Sequence, residues 1–212
     1  MKIDNKIPFY LNPDDTHCFQ ACLKMVIEYF WPECVYSWEE LDIITSKIKG
    51  LWTWPMAGLL FMQEKGAEVK IIKSFDYDNF SKNGAEYLRK RYGKEVANAQ
   101  IKNSDIDREI GFSKKFIKKI KIKKDIPKIE DLKQMLKDNY VIIANINSRI
   151  LNNKNGYVGH FVVIKSFNQE GFLLNDPGLP GIENRKVDFD LFNKAWSYPN
   201  EEAKNIMAFR LE

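Results

Sequence analysis

An α+β fold is predicted for this 212-residue chain. Two observations carry the prediction. Apolar residues recur at three- and four-residue steps through most of the first half, and from about residue 140 they give way to short β-rich runs between Asn/Gly turns. Helices that precede the strands, rather than alternating with them, call for an antiparallel sheet with helices laid on it.

The elements follow in order. After the extended Ile7-Pro8-Phe9-Tyr10, the run Asn12-Pro13-Asp14-Asp15-Thr16 is rich in capping side chains, so a helix is expected from about His17. Cys18, Ala21, Cys22, Met25, Val26, Tyr29 and Phe30 form its buried stripe, and Trp31-Pro32 stops it. Cys18 therefore sits in the first turn, facing inward. Ser37 with Glu40 is a capping box for a second helix reaching about Lys47. A third helix runs from Pro55 to Lys65 and closes on Gly66. Val69 to Lys73 alternates as a strand. Residues 78–119 are charged and helix-prone, with Gly84, Gly93 and Gly111 as expected breaks. Pro127 opens a helix through Lys137 whose apolar face is Ile129, Leu132, Met135 and Leu136. Strands are expected over Tyr140–Ile146, Tyr157–Phe167, Gly171–Leu174 and Ile206–Leu211, with a short helix over Val187–Trp196. The chain reads as one domain, residues 1–212, with residues 78–124 as a helical insertion or lid.

Composition narrows the function classes. A hydrophobic fraction of 44% with 29% charged residues is that of a globular protein with a real core. A net charge of +4 is too mild to imply nucleic-acid binding. Three cysteines make no disulfide framework at this length and read as reduced thiols of a cytoplasmic protein. Met1 to Tyr10 has no signal-peptide core, and the richest apolar stretch, Leu51 to Met62, falls short of the roughly 20 residues of a membrane helix.

The chain has only two histidines, His17 and His160. His160 begins the apolar strand Gly159-His160-Phe161-Val162-Val163-Ile164, and the turn Asn168-Gln169-Glu170-Gly171 returns the chain to Asn175-Asp176-Pro177. A hairpin centred on that turn brings Asp176 beside His160. A thiol nucleophile needs a lowered pKa, which a helix N-terminus and an imidazole both favour, and a base oriented by a carboxylate or amide. Cys18, His160 and Asp176 meet those needs in the order Cys, His, Asp/Asn of papain-like folds. Asn175 is the alternative orienter. It alternates with Asp176 across the strand, so only one of them serves.

These segments resemble the C39-like, papain-like cysteine peptidases. The start of that family is matched by Asn12-Pro13-Asp14-Asp15-Thr16-His17-Cys18-Phe19-Gln20-Ala21-Cys22-Leu23-Lys24-Met25, and its later motifs by Gly159–Ile164 and Asn175-Asp176-Pro177. The family has a Gln six residues before the Cys and a small Gly after it, where this chain has Asn12 and Phe19. The resemblance implies a papain-like fold, a Cys18–His160–Asp176 triad with Asn12 at the oxyanion position, a thioester intermediate, and a peptide or protein substrate. It implies no cofactor. Phe19 is expected to narrow the site. The alternatives are an acyltransferase or deamidase using the same triad, or an impaired fold that binds peptide or protein.

Other features have plainer readings. His17, Cys18, Cys22 and His160 contain zinc-ligand chemistry, but adjacent His17 and Cys18 diverge on a helix, so no metal is expected. Cys22 reads as core, and Cys34 has no assigned role. The cluster from Lys114 to Lys128 reads as a solvated face, with an acidic partner as its alternative. Trp52 and Trp54 read as packing or as a pocket wall.

Overall fold

The computed structural model describes residues 6–211. The first five residues of the stretch inspected for a signal segment, and residue 212, lie outside the described residues. In chain order the elements are α1 (Cys18–Phe30), α2 (Trp38–Thr45), α3 (Met56–Glu64), β1 (Glu68–Lys73), α4 (Tyr77–Asn103), α5 (Ile106–Lys119), β2 (Ile122–Lys123), α6 (Ile129–Lys137), β3 (Val141–Asn147), α7 (Ser148–Leu151), β4 (Gly159–Phe167), β5 (Gly171–Asp176), β6 (Ile182–Asp188), α8 (Phe189–Trp196) and β7 (Asn205–Arg210). The fold is α+β, as expected.

The strands form one sheet in the order β2-β1-β7-β3-β4-β5-β6. Every neighbouring pair is antiparallel except β1 and the two-residue β2. Strict alternation along the central strands divides the core in two. Val141, Ile143, Phe161, Val163, Met207 and Phe209 face the cluster that contains the buried side chains of α1 and α3. Ile142, Ala144, Val162, Ile164, Ile206 and Ala208 face Leu132 and Leu136 of α6 and Phe192 and Trp196 of α8. The sheet is thus covered by helices on both sides.

Local chemistry explains the boundaries. Ser37 and Glu40 make the reciprocal capping box expected of α2. In the 78–119 stretch, Gly84 at φ +45° and Gly93 at φ +75° kink α4, a conformation that L side chains rarely adopt. Gly111, by contrast, lies within α5 and breaks nothing. The chain turns instead at extended Ser104, and Asp105 caps α5 by accepting the Arg108 N–H at 3.1 Å. No helix of the described residues is long and apolar enough to cross a membrane.

Candidate active site

The N-terminus of α1 is set by side chains outside the helix. His17 occupies the N-cap position without a side-chain cap. The cap comes from Asn12, whose Oδ1 accepts the His17 N–H at 3.0 Å and the Asp14 N–H at 3.3 Å. Two backbone donors on one atom identify it as the carbonyl oxygen, so the Asn12 amide NH₂ points away from them. The Asn12 backbone N–H in turn donates to Pro177 O at 2.9 Å, tying this loop to the end of β5. His17 stands between Asp14, 2.7 Å from Nδ1, and Asp42, 3.0 Å from Nε2. Lys47 Nζ donates to Thr16 O at 3.0 Å. Cys18 thus begins a helix whose entry is braced on three sides, with its own N–H among the first-turn donors that have no intrahelical acceptor.

His160 reaches this helix end from the start of β4. Its Nε2–H donates to Asp176 Oδ1 at 2.7 Å, which leaves Nδ1 as the ring nitrogen available to the Cys18 thiol. Asp176 also accepts the Gly178 N–H on Oδ1 at 3.0 Å and Arg185 Nη1 on Oδ2 at 2.8 Å. Arg185 is anchored by Nη2 to Leu151 O at 2.6 Å. Asn175, the alternative orienter, turns the other way. Its Nδ2 donates to Pro8 O at 3.3 Å, and its Oδ1 accepts the Asn184 N–H at 3.3 Å.

The electrostatics follow from this packing. Burial pushes the Cys18 thiol up, but the hydrogen bond and charge of His160, with the Phe161 and Phe19 backbone N–H groups, outweigh it and bring the thiol below its usual range. Burial pushes His160 down, while Asp176 and Cys18 push it up, to about 10. Burial raises Asp176, and His160, the Gly178 N–H and Arg185 more than offset it. The arrangement favours a thiolate and an imidazolium side by side.

Phe19 does not narrow the site. Its ring is buried against Phe161, with centroids 4.9 Å apart, and a Cβ on Gly58 would come within 2.8 Å of it. The bulk at position 19 is accommodated by the missing side chain at position 58. Cys22 is buried in the core, and burial raises its thiol well above the usual range. Cys34 Sγ accepts Lys65 Nζ at 3.2 Å. All three cysteines are free thiols. Among the described residues, no three His, Cys, Asp or Glu side chains converge on a point suited to a metal ion.

Half-buried Cys18 opens onto a recess of about 100 Å³. Trp52 and Trp54 wall it, together with Tyr157, Phe161 and the α4 residues Tyr92, Val96 and Gln100. Gln100 Nε2 donates to Tyr157 Oη at 2.9 Å, and Trp54 Nε1 to Ser104 Oγ at 3.0 Å, fastening α4 and its end over the site. In the lysine cluster, Lys119 pairs with Glu64 at 2.6 Å, Lys124 with Asp76 at 2.6 Å and Lys123 with Asp125 at 3.1 Å. No sequence signal marks Arg185, because it sits on an edge strand without an alternating apolar pattern; residues 78–124 are expected as an insertion or lid, but which of their side chains line the recess is not written in any motif.

The sequence pattern described as the peptidase C39 family matches residues 85–199, more than half of the chain. No curated protein matches this chain. Two of the solved structures similar in fold serve as examples. The peptidase domain of Streptococcus ComA, a bifunctional ABC transporter involved in quorum sensing, superimposes with a TM-score of 0.54 at 13% identity, covering 97% of this chain and 99% of that one. A double glycine motif protease from an AMS/PCAT transporter, in complex with its leader peptide, superimposes with a TM-score of 0.52 at 14% identity, covering 98% and 94%.

Proposed function

The chain belongs to the peptidase C39 family, and from that premise we propose that it is a thiol-dependent amide-bond hydrolase whose nucleophile, base and orienter are Cys18, His160 and Asp176. The observation that carries the reading is the 2.7 Å hydrogen bond from His160 to Asp176, with the same imidazole bringing the Cys18 thiol below its usual range. The Cys18 thiolate attacks the substrate carbonyl carbon, and the carbonyl electrons move to oxygen. The Cys18 N–H and the Asn12 amide NH₂ are the donors for that oxyanion. The His160 imidazolium gives its proton to the amide nitrogen as the C–N bond breaks, leaving a thioester and a free amine. Water, deprotonated by neutral His160, then releases the acid and restores the thiolate.

The proposed substrate is a peptide. The leader peptide held by the similar double glycine motif protease supports that class. The 78–124 segment is read as an insertion that roofs the recess, because α4 side chains line it beside Cys18. Three free thiols suit a reducing compartment such as the cytoplasm. The burial of Phe19 removes one of the two grounds for an impaired, purely binding protein.

The test is the rate of Cys18 alkylation by iodoacetamide against pH, read by mass mapping. A lowered thiol pKa that returns upward in His160→Ala is expected. Ordinary thiol titration near 8.5 in the unaltered protein would overturn the reading.

A further inference from the structure

Lys73, at the end of β1, lines the same recess as Cys18. The mechanism does not use it. Among the described residues its Nζ makes no hydrogen bond and no ion pair; its one contact of note is with the ring of Phe75, 4.8 Å from Nζ to centroid. The neighbouring cation, Arg91, lies over the same ring at 5.6 Å and has its own acceptors: Glu202 Oε2 at 3.1 Å, Glu202 O at 2.7 Å and Ser74 Oγ at 2.6 Å. Burial, with the Arg91 charge adding to it, holds the Lys73 ammonium down to about 7, and no carboxylate offsets either effect. A half-buried cation without a counter-charge is costly unless something supplies one.

We propose that the recess is the substrate subsite of the enzyme and that Lys73 receives a carboxylate carried by the part of the substrate that enters it. This rests on Cys18 being the nucleophile. The recess that both residues line has aromatic walls, Trp52, Trp54 and Tyr92 among them, which suit an apolar linker. The narrow recess takes a thin chain. One ammonium matches the single charge of a carboxylate, whereas a phosphate would demand more donors than the site provides.

Two measurements on the full chain test the proposal separately from the nucleophile. In the first, N-iodoacetyl ω-amino acids of increasing length are compared with neutral N-alkyl iodoacetamides of matched length, and alkylation of Cys18 is followed by mass mapping. At one length the carboxylate reagent is expected to react about tenfold faster than its neutral partner, the ratio that a modest gain in binding produces. Lys73→Met should abolish that ratio, and Lys73→Arg should retain it. A ratio no greater than glutathione gives at every length, or one that survives in Lys73→Met, overturns the Lys73 subsite. Neutral reagents that label Cys18 no faster than glutathione count against the nucleophile instead. In the second measurement, titration of hexanoate against hexanamide by calorimetry reads Lys73 without any reaction. Preference for hexanoate that is lost in Lys73→Met supports the subsite, and equal binding of both overturns it.

Discussion

His160 Nε2 lies 2.7 Å from Asp176 Oδ1, and the contact depends on one residue of strand register. Around the turn Phe167 pairs with Phe172 and Ser166 with Leu173, but beyond a bulge at Lys165 the partners become Ile164 with Leu174 and Val163 with Asn175. Asp176 is therefore level with Val162, on the side of the sheet that alternation gives to His160. Without the extra residue, Asn175 would lie opposite Ile164 and occupy that side. The bulge selects a carboxylate over an amide as the partner of the imidazole.

Arg185 makes that choice matter. It donates to Asp176 Oδ2 at 2.8 Å, so both carboxylate oxygens face hydrogen-bond donors. An amide at position 176 has one acceptor and must point its NH₂ at either His160 Nε2–H or Arg185. Asp176→Asn is expected to slow Cys18-dependent hydrolysis on the order of 10²-fold, within the range for disturbed acid–base catalysis. Arg185→Met should restore part of the loss in the double variant, because it removes the competing donor. Rates for the two single variants and the double, with melting temperatures to verify folding, check the coupling; simple additivity would refute it.

The pH dependence has two limbs. The Cys18 thiol is held below its usual range and His160 up at about 10, so the ion pair persists through neutral pH. Alkylation of Cys18 should rise at a pH below that of an ordinary thiol and then stay level. In the proposed mechanism hydrolysis also needs the His160 proton for the leaving amine, so its rate should fall again near pH 10. The stability terms run in opposite directions. The contribution of raised His160 is complete below its ordinary 6.5 and is lost as pH climbs through about 10. That of lowered Asp176 is present above its ordinary 3.8 and is lost as pH falls. Paired rate profiles and thermal melts across pH measure both.

What could be read from the sequence, and what could not, divides by range. The cap-rich run before Cys18, the Ser37–Glu40 box and the His160–Asp176 hairpin are local patterns, written in residues near one another in the chain. The bulge at Lys165 leaves no such mark, since an extra residue in a strand looks like any other. β6 was missed because it is an edge strand with Val187 as its buried position, so no apolar alternation announces it. Arg185 was lost with it. Which α4 side chains line the recess beside Cys18 is a tertiary fact about residues some 75 to 80 positions away, and no period or turn signal encodes it. Asn12 was identified for its place before Cys18, but its use as the cap of α1 depends on a loop conformation.

Capping α1 is the observed duty of Asn12 and donating to the oxyanion the proposed one, and two substitutions part them. Asn12→Asp keeps an oxygen for the His17 and Asp14 N–H groups but replaces the NH₂ donor with an acceptor. Its expected signature is near-normal thermal stability with hydrolysis reduced on the order of 10²–10³-fold, the usual loss for an oxyanion donor. Asn12→Ala removes the cap as well and should also cost about 1 kcal/mol of stability in urea melts. Equal activity in Asn12→Asp and the unaltered chain would assign Asn12 to capping alone.

The contact between Phe19 and Gly58 makes a prediction about folding rather than chemistry. A Cβ at position 58 would stand 2.8 Å from Phe19 Cε1 and 3.0 Å from Leu23 Cδ2, closer than van der Waals packing permits. Both neighbours are ring or branched atoms in a filled core, with no solvent to yield into. Gly58→Ala is thus expected to destabilise the fold by about 1–3 kcal/mol despite the higher helix propensity of alanine. Phe19→Leu, which shortens the opposing side chain, should recover part of that loss in combination while costing stability alone through the cavity it leaves. Urea denaturation of the four proteins reads the cycle directly. Because Phe19 is not among the residues that line the recess, the alkylation rate of Cys18 should change little in any of them. A large change in that rate with intact stability would mean that Phe19 shapes the site after all.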